Sequence, residues 1–93
     1  MKASYKSTIL AESDSTIPLE GNQYFPPDSV KMEYLRKSLT PYTCPWKGEC
    51  QYFDVVVDGE ILKDAAWTYP EPKEAAKEIK NHVAFWKDIK VTD

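Results

Sequence analysis

The 93-residue chain is poor in several residue types, and each shortage excludes a class of protein. Two cysteines are too few for a disulfide framework, and three glycines cannot supply a glycine-rich phosphate-binding loop. No hydrophobic run approaches the roughly 20 residues that a membrane-spanning helix needs. Because 12 Lys and Arg stand against 15 Asp and Glu, the net charge of −3 disfavours nucleic acid and anionic membranes as partners.

The N-terminal stretch MKASYK lacks the apolar segment of a secretory signal peptide. We therefore expect a soluble, cytoplasmic protein whose cysteines are thiols. A chain of this length supports one modest core, so we predict a single domain over residues 1–93. Aromatic residues are abundant at 13% of the chain, and large rings must build much of that core.

The first third of the sequence predicts short strands separated by polar turns. Residues 8–11 form one strand, and residues 16–19 and 23–25 form a hairpin around the turn signal Glu20-Gly21-Asn22. A short helix of one or two turns is expected after Pro27, since Asp28 and Ser29 can serve as its N-cap.

The central stretch predicts a second hairpin, in which residues 51–57 pair with the chain after the type I′ turn signal Asp58-Gly59. Counting outwards from this turn sets Asp54 opposite Lys63 and Cys50 opposite Trp67, and a bulge between Asp64 and Trp67 would shift the far end. The same count assigns five apolar side chains to one face: Phe53, Val55, Val57, Leu62 and Ala66.

The C-terminal third predicts one helix and a closing strand. Pro70-Glu71-Pro72 ends the preceding strand, and residues 73–81 carry apolar side chains at helical spacing at Ala75, Ala76 and Ile79. The alternating residues 82–86 then predict the last strand.

Three stretches carry a family resemblance: EGNQYFPPDSV, TCPWKGECQYFDVVVDGE and DAAWTYPEPKEAAKEIKNHVAFWKDIKV. In order and spacing they resemble the domain of unknown function 427 family, over nearly the whole chain. The resemblance implies a mainly β (α+β) fold, a small antiparallel β-barrel or tent-like domain with one C-terminal helix. A relation to the β-tent folds, such as methionine sulfoxide reductase B, is also implied. The matching motif positions are Cys44, Pro45, Trp46, Lys47, Gly48, Trp67, Tyr69 and Pro70.

A nucleotidyltransferase-type label has been attached to this family, but the residues do not favour that chemistry. Such an enzyme needs grouped carboxylates for magnesium, and the nearest ones are Asp54, Asp58, Glu60 and Asp64. Asp54 has Lys63 opposite it, and Asp58 is explained by its turn. Zinc is disfavoured as well, because Cys44, Cys50 and His82 have no recognised ligand spacing. We expect neither a metal nor another cofactor.

Thiol chemistry remains open from the sequence, since Lys47 could favour the Cys44 thiolate. These two residues are the catalytic candidates if the protein is an enzyme. However, no second histidine is present to act as a base, and a buried unreactive cysteine is the common alternative. Whether Cys44 and Cys50 form a disulfide depends on whether the intervening chain folds back completely.

The aromatic residues of the two motifs point to binding. We predict that Cys44, Trp46, Lys47, Trp67 and Tyr69 border one cleft for a small anionic or aromatic ligand, or for a short peptide segment. A protein-interaction module with an exposed aromatic patch is one alternative, and a thiol-dependent enzyme acting through Cys44 is another. In a purely structural role, Trp46 would plug the end of the barrel while Lys47 points to solvent.

Overall fold

The computed structural model describes all 93 residues, and 58% of them lie in strands, which confirms the mainly β class. The nine strands are β1 (Lys2–Tyr5), β2 (Thr8–Glu12), β3 (Ile17–Leu19), β4 (Asn22–Tyr24), β5 (Leu35–Cys44), β6 (Gly48–Val57), β7 (Glu60–Thr68), β8 (Val83–Phe85) and β9 (Lys90–Thr92). Three 3₁₀ helices span Pro27–Ser29, Met32–Tyr34 and Glu74–Ile79. None of the helices has the length and apolar character that crossing a membrane would require.

The strands form three antiparallel sheets with the orders β2-β1-β9, β3-β4 and β5-β6-β7-β8. The predicted barrel or tent-like form is not confirmed, because the sheets do not close into a barrel and β5 remains an edge strand of the four-stranded sheet. At the opposite edge, Phe25 and Val83 exchange two backbone hydrogen bonds, which attach the β3-β4 hairpin to β8.

The helix predicted for residues 73–81 is not confirmed, and the helical segments of the chain are 3₁₀ helices. After Pro27 there are two single turns, and the C-terminal segment is a 3₁₀ helix interrupted by a non-helical Ala76. Its buried residues, Ala76 and Ile79, are three positions apart, and 3₁₀ geometry aligns residues i and i+3 on one face. The Asn81 N–H then donates to the Tyr69 carbonyl, which returns the chain to the sheet.

The predicted hairpin register is confirmed beside the Asp58-Gly59 turn, where Val57 pairs with Glu60 and Val55 with Leu62. Both turn residues have positive φ, at 50° and 82°, as a type I′ turn requires. At the far end the predicted pair of Cys50 and Trp67 is wrong, because Tyr52 lies opposite Trp67.

The cause of the shift is a bulge in which Lys63, Asp64 and Ala65 lie opposite the single residue Asp54. The Asp54 carboxylate accepts a hydrogen bond from the Asp64 N–H at 2.9 Å, while Asp64 adopts a φ of 53°. Because the shift is two residues, it preserves the alternation of faces. The five apolar side chains predicted for one face therefore all lie in one cluster, with Leu62 at its margin.

The four-stranded sheet separates two hydrophobic clusters. On the first face, Val, Ala and Phe side chains pack against the β2-β1-β9 sheet. On the second face, aromatic and sulfur-containing side chains pack against the β3-β4 hairpin and the last 3₁₀ helix. The second cluster contains Tyr24, Cys44, Trp67, Tyr69, Ala76, Ile79 and Ala84.

Candidate functional site

The CPWKG motif forms the tight connection between β5 and β6. Cys44 pairs with Gly48, so Pro45, Trp46 and Lys47 make a three-residue turn that we call the motif loop. Gly48 has a φ of 112°, a conformation that other residues rarely adopt. A Cβ atom at this position would lie 3.3 Å from the Glu71 carbonyl oxygen. The glycine therefore permits both the turn and the close approach of the chain that follows β7.

Residues 70–73, which we call the PEPK segment, are attached to the motif loop by hydrogen bonds. The Lys73 N–H donates to the Lys47 carbonyl at 2.8 Å, and the Lys73 ammonium donates to the Pro45 carbonyl at 2.7 Å. The two motifs that carry the family resemblance are thereby brought together, although 24 residues lie between Cys44 and Tyr69.

Lys47 occupies an unusual position for a lysine, because it is only 8% exposed. Its ammonium lies 5.2 Å from the ring centroid of Trp46 and 5.5 Å from that of Tyr69. Both rings can stabilise the charge through cation–π interactions. The remaining partner is the Glu20 carboxylate, which accepts a hydrogen bond from the ammonium and comes from the turn between β3 and β4.

The electrostatics of this pair favour its charged form. Burial lowers the pKa of Lys47, but the hydrogen bond to Glu20, together with the charges of Tyr24, Cys44 and Glu20, outweighs burial and holds that pKa above its ordinary value. The hydrogen bond from Lys47 in turn lowers the pKa of Glu20. Lys47 is thus a fixed cation at the end of the second face.

Cys44, Cys50 and Tyr69 lie in the cluster on the second face, which ends at this cation. Cys44 and Cys50 are free thiols, and Cys44 is buried. Burial raises the pKa of Cys50 to about 12 and raises the pKa of Tyr69 as well. Cys50 is therefore protonated at neutral pH, and the deep burial of Cys44 gives no support to thiol-dependent catalysis.

Trp67 contacts other aromatic rings. Its indole N–H donates to the Tyr24 hydroxyl at 3.1 Å, and its ring makes edge contacts with Tyr24 and Trp86. Trp86 stacks on Tyr52, and Tyr52 contacts Tyr42. Tyr42, Tyr52 and Trp86 thus form what we call the aromatic row across β5, β6 and the end of β8, and Tyr42 and Trp86 are exposed.

The five predicted site residues are not equally accessible. Cys44, Lys47, Trp67 and Tyr69 are all buried, and Trp46 is 38% exposed. The structure has two surface cavities, of about 490 Å³ and about 310 Å³, and both are lined by other residues. The region that the five predicted residues occupy is therefore a packed cluster. One cation and a partly exposed indole lie at its rim.

Two residues of this site were missed by the sequence analysis, namely Glu20 and Tyr24. Glu20 was interpreted only as part of a turn, and it adopts a φ of 53° there. Tyr24 was interpreted only as a strand residue. Both belong to the EGNQYF stretch that carries the family resemblance, so the motif itself was the available signal.

Of the four acidic residues weighed for magnesium, Asp54 and Asp64 lie at the bulge, whereas Asp58 lies in the hairpin turn and Glu60 pairs with Lys6. Asp54 pairs with Arg36 and Lys63, and the Asp64 carboxylate accepts a hydrogen bond from Thr40 at 2.7 Å. No three His, Cys, Asp or Glu side chains lie close enough together to hold a metal ion. His82 hydrogen-bonds through Nδ1 to the Lys80 carbonyl.

Comparison with protein families gives one match, to the family described as a domain of unknown function (DUF427), over residues 2–93. The match spans the motif loop, the β3-β4 turn and the PEPK segment alike. It confirms the resemblance inferred from the three sequence stretches. A search among proteins of curated function returns no significant match.

Proposed function

The chain belongs to the DUF427 family, whose function is unknown, and we propose that this protein binds a small anionic ligand at Lys47. The charged group of the ligand pairs with the Lys47 ammonium, and its flat or apolar part lies against the Trp46 ring. The free thiols of Cys44 and Cys50 support the reducing cytoplasm as the place where it acts.

The observation that carries the proposal is the buried ammonium of Lys47 between two aromatic rings. Lysine is almost never buried for packing alone, since desolvation of the charge is costly. A fixed and partly desolvated cation beside rings is the arrangement that recognises an anionic group in a small-molecule site.

Binding at this site is an exchange with Glu20. The Glu20 side chain is half-exposed and belongs to the turn of a two-stranded hairpin, so it can leave Lys47 without disturbing the core. A ligand carboxylate or phosphate then takes its position. Trp46 already exposes part of its ring next to the same ammonium, which gives the ligand an apolar contact.

This exchange gives opposite expectations for the two partners of the ion pair. Lys47→Met should abolish binding of an anionic ligand at the motif loop, because the cation there is lost. Glu20→Gln should strengthen binding several-fold, because the competing carboxylate is lost. A thermal-shift screen of carboxylates and phosphates with and without aromatic rings identifies the probe, and calorimetry with each variant then gives the affinity. Lys90→Met, on the exposed surface of β9, serves as the matched control.

Weaker binding in Glu20→Gln than in the parent protein would contradict the exchange. Absence of binding in both the parent and Glu20→Gln, across the whole screen, would refute the proposed function. In that case Lys47 and Glu20 are a structural ion pair that attaches the β3-β4 hairpin to the motif loop.

The aromatic row supports a second candidate function, recognition of an extended protein segment. Three rings follow one another across the four-stranded sheet, and two of them are exposed. Proline-rich segments in polyproline II conformation dock onto such ring-lined surfaces, because they lose little conformational entropy on binding.

A proline-rich peptide titrated into the ¹⁵N-labelled protein tests this candidate. Shifts of the Tyr42, Tyr52 and Trp86 signals that disappear in a Tyr42→Ala/Trp86→Ala double variant would support it. A Trp46→Ala variant is the control, since this ring belongs to the motif loop. Unchanged spectra at millimolar peptide would rule it out.

A further inference from the structure

The cavity of about 310 Å³ lies on the first face of the four-stranded sheet, away from the motif loop. All four neighbouring strands border it, and the two 3₁₀ turns after β4 close it from above. The strands contribute Lys37 from β5, Gln51 and Phe53 from β6, Thr68 from β7 and Val83 from β8. The first hydrophobic cluster ends at Phe53 and Val83, so the cavity continues the core as an open space.

The walls of this space, which we call the Lys37 cavity, are mainly apolar. Phe53 and Val83 form its floor, while Pro27, Met32 and Pro70 border it from the connecting segments. Apolar walls with a few polar groups, and a volume near the lower end of the range of about 300–1,000 Å³, are typical of small-molecule sites.

The polar groups at this cavity differ in what they can offer. The Thr68 hydroxyl donates to the His82 carbonyl, and the Gln51 amide nitrogen donates to the carbonyls of Ser38 and Tyr52. Those donors are therefore used within the protein. Lys37 and Asn81 remain as the donors that face a ligand.

The charge of the residues that line the cavity indicates which class of ligand it binds. Lys37 is the only charged residue that lines the cavity, and none of the ion pairs of the protein involves it. No carboxylate therefore competes for its ammonium. A single lysine matches a monoanion, whereas phosphate sites are commonly built from several cations or from a helix N-terminus.

We propose that the Lys37 cavity binds a small organic monocarboxylate, with its carboxylate at Lys37 and Asn81 and its apolar body against Phe53 and Val83. This site is independent of the ligand proposed for Lys47, because the two lysines face opposite sides of the sheet and line no common cavity. Either site can exist without the other.

Benzoate and isovalerate, each paired with its neutral amide, are suitable probes because they share shape and differ in charge. In a ¹⁵N NMR titration, the acids should bind with a Kd of about 1 mM and shift the backbone signals of Phe53, Thr68 and Val83. The neutral amides should bind at least about tenfold more weakly, since they lose the charge-assisted hydrogen bond.

Two variants test the location. Lys37→Met should weaken binding about tenfold, and Met32→Trp should block it by filling the mouth of the cavity, whereas Lys90→Met should leave it unchanged. Because Lys37 and Met32 are both exposed, neither change should prevent folding. In Lys47→Met, benzoate should still shift the backbone signals of Phe53, Thr68 and Val83, which separates this site from the motif loop.

Three results would overturn the proposal. The first is no binding of either acid at about 10 mM, roughly ten times the expected Kd. The second is equal binding of acid and amide. The third is shifts confined to the Trp46 indole with loss of binding in Lys47→Met, which would assign the acid to the motif loop instead.

Discussion

The two faces of the four-stranded sheet bury different kinds of side chains. On the first face, the buried residues of the hydrophobic cluster have no polar side-chain atoms and pack against a second sheet, and two of its three Phe rings, Phe25 and Phe85, meet edge to face. The second face buries Trp67 and Tyr24, which share a hydrogen bond, and ends at an ammonium held between two rings. Packing of the first cluster therefore depends only on the shapes of its apolar side chains. Packing of the second cluster also requires a hydrogen-bond partner for each buried polar atom.

The difference shows where function can be located in a domain this small. A face whose polar groups satisfy one another is rigid but tolerates few changes, since each lost partner leaves a buried group unpaired. Its functional potential lies at the rim, at Lys47, Glu20 and Trp46, where one partner is half-exposed. The first face instead leaves room for a ligand where its apolar packing stops, at the Lys37 cavity.

The largest effect is expected from truncating a buried ring on either face. Trp67→Ala and Phe25→Ala should each lower the free energy of unfolding by about 3–5 kcal/mol, because each opens a cavity in a packed cluster. Urea denaturation at neutral pH measures both. Trp67→Phe is the control and should lose only about 1 kcal/mol for the Tyr24 hydrogen bond beyond its packing difference. If Trp67→Ala cost less than about 1 kcal/mol, the second face would be a loose cleft rather than a packed core.

A smaller effect is expected at the bulge that both faces share. Asp54→Ala removes the acceptor of the Asp64 N–H and the partner of Arg36 and Lys63, so the free energy of unfolding should fall by about 1–3 kcal/mol. Hydrogen exchange at the Asp64 amide should accelerate as well. Glu49→Ala, an exposed acid on the same strand, provides the comparison. Equal stability of the two variants would show that the bulge forms without the carboxylate.

Acid should weaken the protein through the same carboxyl groups. Burial raises the pKa of Asp54 and of Asp64, but the hydrogen bonds and cations around them outweigh burial and hold both pKa values below normal. A lowered folded-state pKa contributes stability above the unfolded-state pKa of about 3.9, and this contribution is lost as the pH falls through the folded-state value.

Unfolding free energy should therefore be flat from pH 7 to about pH 5 and should fall below about pH 4, by at most about 1.4 kcal/mol per pH unit for each carboxyl group. Urea denaturation across this range provides the measurement, and Asp54→Asn should flatten the acid limb. A decline that begins near pH 6 would contradict this assignment and would indicate a titrating group other than the buried carboxylates.

The smallest effect is expected at the rim of the second face. Trp46→Ala should cost about 1 kcal/mol of stability, since the ring is partly exposed and lies on a turn. The same change should remove binding of the anionic ligand identified with Lys47. Urea denaturation of the variant measures the loss of stability, and calorimetry on the same sample measures the loss of ligand binding. A loss of about 3–5 kcal/mol would make Trp46 a core plug and would remove it from the proposed site.

Local signals in the sequence determined several elements of this protein. Asp58-Gly59 and Glu20-Gly21-Asn22 predicted their hairpins, because positive φ at such positions restricts the possible turns. Alternation predicted which side chains of β6 and β7 face the first cluster, and a shift of two residues preserves that assignment. The motif stretches also predicted the family, which depends on residue identity and order alone.

The strands β1 and β9 were missed, although β1 also pairs with β2 through the short turn at Lys6 and Ser7. Neither β1 nor β9 has a turn signal, and they pair with one another across the length of the chain. The length of β5 was also missed, since Pro41 and the polar residues around it conceal a strand that depends on pairing with β6.

Only the tertiary structure decided what the motif residues became. Lys47 is buried because the β3-β4 hairpin brings Glu20 to it and Tyr69 returns beside the motif loop, and no local pattern encodes either approach. The bulge depends in the same way on a carboxylate of one strand accepting an N–H of another. The sequence identified most of these residues as candidates. Their burial and their partners arise from long-range contacts, which form only when the whole chain folds.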